Sequence, residues 1–173
     1  MLTLDFQSAV TRHVPQLNHF HLRYCKQLTD ESIYLISEKM PDLYSLDVSF
    51  CSRLTTPALR HLIERRGTLL TELRLRSCRG CTTSVDEQQQ QPQLVGAVRA
   101  WGTKSALAVL DVRGCPEELQ QGWTELGFTE QESAQGFFTR PARWNAELQG
   151  RLVKQMRRVF EQSSLVGPNS RMQ

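Results

Sequence analysis

The chain has 173 residues, 39% of them hydrophobic, and a formal net charge of +3. That is enough apolar material for one domain with a core of its own. No apolar run is long enough to span a membrane. The opening stretch, MLTLDFQSAVTRHVPQL, carries Asp5 and lacks the apolar centre of a signal peptide.

The first element in chain order is a short helical stripe, Phe6 and Val10, closed by Pro15. A phrase then begins at Leu17 and returns three times. It reads LNHFHLRYC from Leu17, LYSLDVSFC from Leu43, LTELRLRSC from Leu70 and LAVLDVRGC from Leu107. The closing cysteines, Cys25, Cys51, Cys78 and Cys115, are 26, 27 and 37 residues apart. A phrase of this form at a period of 20–29 residues is the signature of leucine-rich repeats. The expected fold class is therefore α/β: a leucine-rich-repeat solenoid, with short parallel strands on the concave face and helices on the convex face. Each repeat buries its apolar side against its neighbours, because no repeat can do so alone.

Within the phrase, Leu17, Phe20 and Leu22 are expected to point inward. The cysteine enters the following turn, where a small, weakly polar side chain is readily buried. After each cysteine comes a helix. Ile33, Ile36 and Met40 follow helical spacing after Cys25, and Leu59 and Leu62 do so after Cys51. Thr29, Asp30 and Thr55 are the candidate N-caps, and Pro41 ends the first of these helices as Pro15 ends the one before.

The phrase C-x-x-L-T-[DT], at Cys25–Asp30 and Cys51–Thr56, resembles the cysteine-containing repeats of F-box/leucine-rich-repeat proteins and their F-box-free relatives. The resemblance covers residues 14–80 and 105–116. It implies a protein–protein interaction module: the substrate-recognition part of a Skp–cullin–F-box ubiquitin ligase, acting in ubiquitin-dependent protein degradation. The alternative it leaves open is an F-box-free scaffold or assembly factor with no link to ubiquitin. Nothing in the chain resembles an F-box, so a Skp-type adaptor would be reached through a region outside this sequence. Because the chain opens inside a repeat, it is expected to be the C-terminal part of a longer protein or a truncated product. An LPxE-like helical segment upstream would favour the ligase reading.

The third repeat is about ten residues too long. The excess contains Ser84–Gln93, SVDEQQQQPQ, expected to be a solvated loop. It is either a tolerated insertion or a contact site. A helix should resume over Leu94–Trp101. Repeats are expected over residues 1–116 and a C-terminal cap over 117–162. In the cap, Glu117–Leu126 is a last short helix, and Gly136–Phe138 a strand or apolar anchor. Residues 145–160 form an amphipathic basic helix, with Leu148, Leu152, Met156 and Val159 on one side and Arg151, Lys154, Arg157 and Arg158 on the other. Residues 140–173 hold 7 of the 21 Lys and Arg and 2 of the 18 Asp and Glu, so the net positive charge resides in the tail. This helix is expected to cover the end of the solenoid; the competing reading is attachment to an acidic surface. Residues 163–173 are expected to be disordered.

Chemistry-bearing motifs are sparse. Cys78-x-x-Cys81 lacks the two further ligands of a zinc site. His19 and His21 alternate on one strand and face the same way, as binding contacts rather than ligands. The chain has no P-loop, GxGxxG or GxSxG. No enzyme activity, cofactor or metal is expected, and no nucleic-acid partner. Repeat-locked cysteines, odd in number, suggest reduced thiols in a cytoplasmic or nuclear protein.

The alternation of each strand names a candidate protein-binding face. Positions 3, 5 and 7 of the phrase should point outward from the concave sheet in ladders. These are His19, Ser45, Glu72 and Val109; His21, Asp47, Arg74 and Asp111; and Arg23, Ser49, Arg76 and Arg113. Tyr24 and Phe50 adjoin the last ladder. Aromatic and arginine residues are enriched at binding hot spots, and arginine favours an acidic or phosphorylated protein substrate.

Overall fold

The structure, a computed structural model, describes residues 17–81 and 93–140 together with Gly150 and Lys154. It is mixed α/β with a six-stranded sheet. In chain order the elements are β1 (His19–His21), α1 (Asp30–Lys39), β2 (Ser45–Asp47), α2 (Thr56–Arg66), β3 (Glu72–Arg74), α3 (Gln93–Trp101), β4 (Val109–Asp111), α4 (Glu117–Gln120), β5 (Thr129–Glu130) and β6 (Phe137–Thr139). The sheet order is β1-β2-β3-β4-β6-β5. The first four strands are parallel; β6 joins β4 antiparallel, and β5 joins β6 antiparallel.

The recurring phrase sets the register. Phe20, Leu46, Leu73, Leu110 and Phe138 stand side by side across the sheet. Leu46, Leu73, Leu110 and Phe138 are buried, and Phe20 packs against the same core from its edge. Above this row lie the helices, α1 against α2 and α2 against α3. Helix α1 buries Ile33 and Ile36 completely. Full burial of one such side chain is worth roughly 1.5–3 kcal/mol, so the apolar stripe, rather than helix propensity, holds a ten-residue helix in place.

Helix ends are satisfied by neighbouring units. Thr29 and Thr55 are the N-caps of α1 and α2, in extended conformation. Asp30 is not a cap; it is the first residue of α1. Its carboxylate accepts from the Thr55 N–H at 2.9 Å and from the Thr55 hydroxyl at 2.5 Å, tying the start of α2 to the start of α1. At the other end Arg66 Nε donates to the Ser37 carbonyl at 2.7 Å. A cation thus meets the exposed carbonyls at the end of α1, where the helix dipole favours it.

The expected last helix over Glu117–Leu126 is divided. Helix α4 ends at Gln120, and a 3-10 turn covers Thr124–Leu126. Gly122 and Gly127 break it, both with positive φ. Gly136–Phe138 is resolved as strand rather than anchor, since Phe137 and Phe138 belong to β6. The open side of β4 is covered by this strand, and Trp123, Phe128 and Phe138 close the core beside it. Residues 1–16, 82–92 and the tail after Arg140 lie outside the described residues; of the expected loop Ser84–Gln93 only Gln93 is described, and it opens α3 instead of closing the loop. The expected helix over 145–160 also lies outside them, except for Gly150 and Lys154, which are helical. Among the described residues no helix is long and apolar enough to cross a membrane.

Candidate protein-binding face

The outward ladders stand in the expected register. His19, Ser45, Glu72 and Val109 form one row, and His21, Asp47, Arg74 and Asp111 the next. Exposure differs sharply along each row. His19, His21, Arg23, Tyr24 and Arg76 are exposed, and Glu72, Arg74, Arg113 and Phe50 are half-buried. Asp47 and Asp111, by contrast, are only 3% and 2% exposed, and Ser45 and Ser49 are equally buried. These four do not offer a free surface. Their side chains are short, and the longer side chains around them cover them.

The two aspartates perform the same local task. Asp47 Oδ1 accepts from the Ser49 backbone N–H at 3.0 Å, and Asp111 Oδ1 from the Arg113 N–H at 3.2 Å. A side-chain acceptor bonding two residues ahead bends the chain out of the strand. Each carboxylate also holds an arginine. Arg113 binds Asp111 through Nε at 2.8 Å and Nη2 at 2.6 Å, a fork-to-fork pair. Burial opposes the charge on Asp111, but the hydrogen bonds from Arg113 outweigh it and hold its pKa below the ordinary carboxylate value. Arg23 lies 3.7 Å from Asp47. In the third repeat Glu72 takes the same part: it pairs with Arg74 and accepts from the Ser45 hydroxyl at 2.8 Å.

Three of the face's four arginines are therefore compensated by carboxylates. The Arg76 side chain makes no hydrogen bond or ion pair among the described residues, although its charge helps to lower the pKa of Asp111. Its guanidinium rests on the Phe50 ring, 5.7 Å from the centroid. Phe50 stacks on Tyr24 with centroids 4.3 Å apart and planes 9° from parallel. Arg23 lies 5.9 Å from both rings. Tyr24 is 60% exposed.

This aromatic row has an unusual backbone. Tyr24, Phe50, Ser77 and Gly114 occupy the eighth position of the phrase, and all four have positive φ, at 61°, 65°, 56° and 69°. Left-handed backbone costs a bulky residue roughly 1–2 kcal/mol. The repeat demands the turn, because the N–H groups of Tyr24, Phe50 and Ser77 donate to Ser49, Arg76 and Arg113 carbonyls of the next repeat. Glycine meets that demand without strain at the fourth turn alone.

Comparison of the chain with protein-family models, with curated proteins and with solved structures gives no match.

The repeat cysteines lie beneath the face. Cys51, Cys78 and Cys115 are buried, while Cys25 is half-buried. Each of the three buried thiols donates to a backbone carbonyl of the preceding repeat: Cys51 to Leu22 at 3.2 Å, Cys78 to Val48 at 3.1 Å and Cys115 to Leu75 at 2.9 Å. Those carbonyls occupy the same phrase position each time. Each of these carbonyls also accepts a backbone N–H, from Cys25, Cys51 and Cys78 respectively, so the thiol is its second donor. Burial pushes the Cys51 and Cys115 thiols up to about 12. Cys81, the second member of the C-x-x-C pair, is also buried and donates to the Leu54 carbonyl at 3.5 Å. The Cys78 thiol beside it and its burial raise its pKa strongly. All five cysteines are free. Among the described residues no group of three or more His, Cys, Asp or Glu is placed to hold a metal.

Sequence reasoning passed over Arg140. It is buried, and its guanidinium donates to the Leu107 carbonyl at 2.5 Å, the Leu126 carbonyl at 3.0 Å and the Ser105 hydroxyl at 3.0 Å. It also lies over the Phe128 ring at 4.3 Å. Its position one residue after β6, next to a proline, carries no repeat signal.

Proposed function

We propose that this chain is the leucine-rich-repeat part of a substrate receptor for a Skp–cullin–F-box ubiquitin ligase. The four phrases and their C-x-x-L-T-[DT] continuations carry the resemblance. The observation that supports it most is the thiol row. Three successive phrase cysteines bond to equivalent carbonyls one repeat earlier, as a repeat with one structural unit per period requires. The face of parallel strands offers exposed aromatic and arginine side chains to a protein substrate, which supports a role in binding. A reducing cytoplasmic or nuclear compartment agrees with five free thiols.

The test is affinity capture of the full-length protein from cells. Co-purification of a Skp-type adaptor and a cullin is the expected result. A partner set lacking both would transfer the reading to an F-box-free scaffold.

A further inference from the structure

Resting on the protein-binding reading, we propose that the recognition element is the row Tyr24–Phe50–Arg76, and that its ligand is an extended acidic peptide. This peptide carries an apolar side chain followed three residues later by a carboxylate.

Charge decides the anionic half. Arg23, Arg74 and Arg113 have Asp47, Glu72 and Asp111 as partners. Binding an outside carboxylate there would mean displacing an existing one. Arg76 is exposed, and its donors are unused among the described residues. Its stem is already ordered by contact with Phe50, so less side-chain entropy is lost on binding.

The apolar half lies at the other end of the row. Tyr24 is the more exposed of the two large hydrophobic side chains exposed among the described residues, and Phe50 fixes one of its ring faces. The left-handed backbone at both positions is costly for such residues. Small residues stand at the same point in the next two turns, Ser77 and Gly114. The aromatic pair is thus confined to the two repeats beside Arg76 and Arg23.

Geometry supplies the spacing. Phe50 lies between the two ends, its ring centroid 4.3 Å from that of Tyr24 and 5.7 Å from the Arg76 guanidinium carbon, so the Tyr24 ring and the guanidinium are within about 10 Å of each other. A polyproline II segment returns to the same side every three residues, having advanced about 9 Å. An apolar residue over Tyr24 therefore places the side chain three positions on beside Arg76.

The test uses the full chain and fluorescein-labelled synthetic peptides in which one leucine precedes one glutamate by one to five residues, within an otherwise Ala/Pro/Gly sequence. A parallel set has glutamine for glutamate. Binding is read by fluorescence anisotropy. The three-residue spacing should bind tightest. Arg76→Gln should weaken the glutamate peptides roughly tenfold, as expected for a charge-assisted hydrogen bond, and leave the glutamine peptides within about twofold. Tyr24→Ala should weaken both sets. Equal loss for both sets on Arg76→Gln, affinity independent of spacing, or no binding by any peptide would each overturn the inference. None of those outcomes bears on cellular capture of adaptor and cullin, which judges the proposed function separately.

Discussion

The indole of Trp101 in α3 lies against the backbone of Gly67 at the end of α2. Trp101 Nε1 donates to the Ile63 carbonyl at 2.9 Å. A β-carbon at Gly67 would overlap Trp101 Cδ1 and Nε1 and approach the Ile63 oxygen to 2.6 Å. Gly67 has ordinary right-handed helical torsions, so space rather than φ requires glycine here. This contact seats the helix of the long third repeat on the helix before it.

Gly67→Ala should therefore destabilise by about 1–3 kcal/mol, the usual cost of overpacking. Thermal unfolding of Gly67→Ala, Trp101→Leu and the double variant decides the cause. The costs should be non-additive, with Gly67→Ala milder once the indole is gone but not free, because the Ile63 oxygen still stands 2.6 Å from the added carbon. Additive costs would place the effect elsewhere.

The buried thiols predict an alkaline limit. Cys51 and Cys115 have folded-state pKa values near 12, raised from an ordinary value of 9.0. An acid whose folded pKa is raised contributes its full stability below the unfolded value and loses it as pH rises towards the folded one. Chemical denaturation should accordingly show stability falling from about pH 9 towards pH 12. At neutral pH, Cys25 should react first with a maleimide in the native protein, and the four buried thiols only on unfolding. Cys51→Ala should cost about 1–3 kcal/mol by leaving a small void and removing the second of two donors to the Leu22 carbonyl.

The phrase was enough to place β1 to β4, their register and the helices between them, because period and alternation are geometric and survive in the order of residues. Exposure was less legible. Asp47 and His21 hold the same position in consecutive phrases, yet His21 is exposed and Asp47 buried. Among the described residues His21 stands on the end strand of the sheet and Asp47 on an inner one, with strands on both sides. Which arginine pairs with which carboxylate depends on side-chain rotamers, which alternation does not encode: Arg74 turns to Glu72 and Arg113 to Asp111 on its own strand end. The closing strands β5 and β6 were least legible. They are two and three residues long and repeat nothing.

Arg140 anchors that closure. Its guanidinium joins the segment before β4, the 3-10 turn ending at Leu126 and the end of β6. Replacing it with Met would bare several buried acceptors and should cost about 2–4 kcal/mol. Arg140→Lys should recover little, because one ammonium cannot span the fork. Hydrogen exchange should localise the loosening to residues 105–139 and leave α1 and α2 protected. Uniform loss of protection across the chain would contradict a local anchor.

The eighth phrase position yields a pair of opposite predictions. Ser77 has φ 56° and Gly114 φ 69° in the neighbouring turn, and a β-carbon on Gly114 would stand 2.7 Å from Ser77 Oγ. Ser77→Gly removes a left-handed non-glycine residue, and the relief exceeds the entropy glycine adds to the unfolded chain. A gain of up to about 1 kcal/mol is expected. Gly114→Ala adds both strain and a contact with the serine hydroxyl, and should lose about 1–3 kcal/mol. In a Ser77→Gly background the contact disappears and the strain stays. Gly114→Ala should then cost less, but still more than zero. Denaturant midpoints of the four proteins measure this directly. An unchanged cost in the two backgrounds would show that backbone torsion alone reserves the position for glycine.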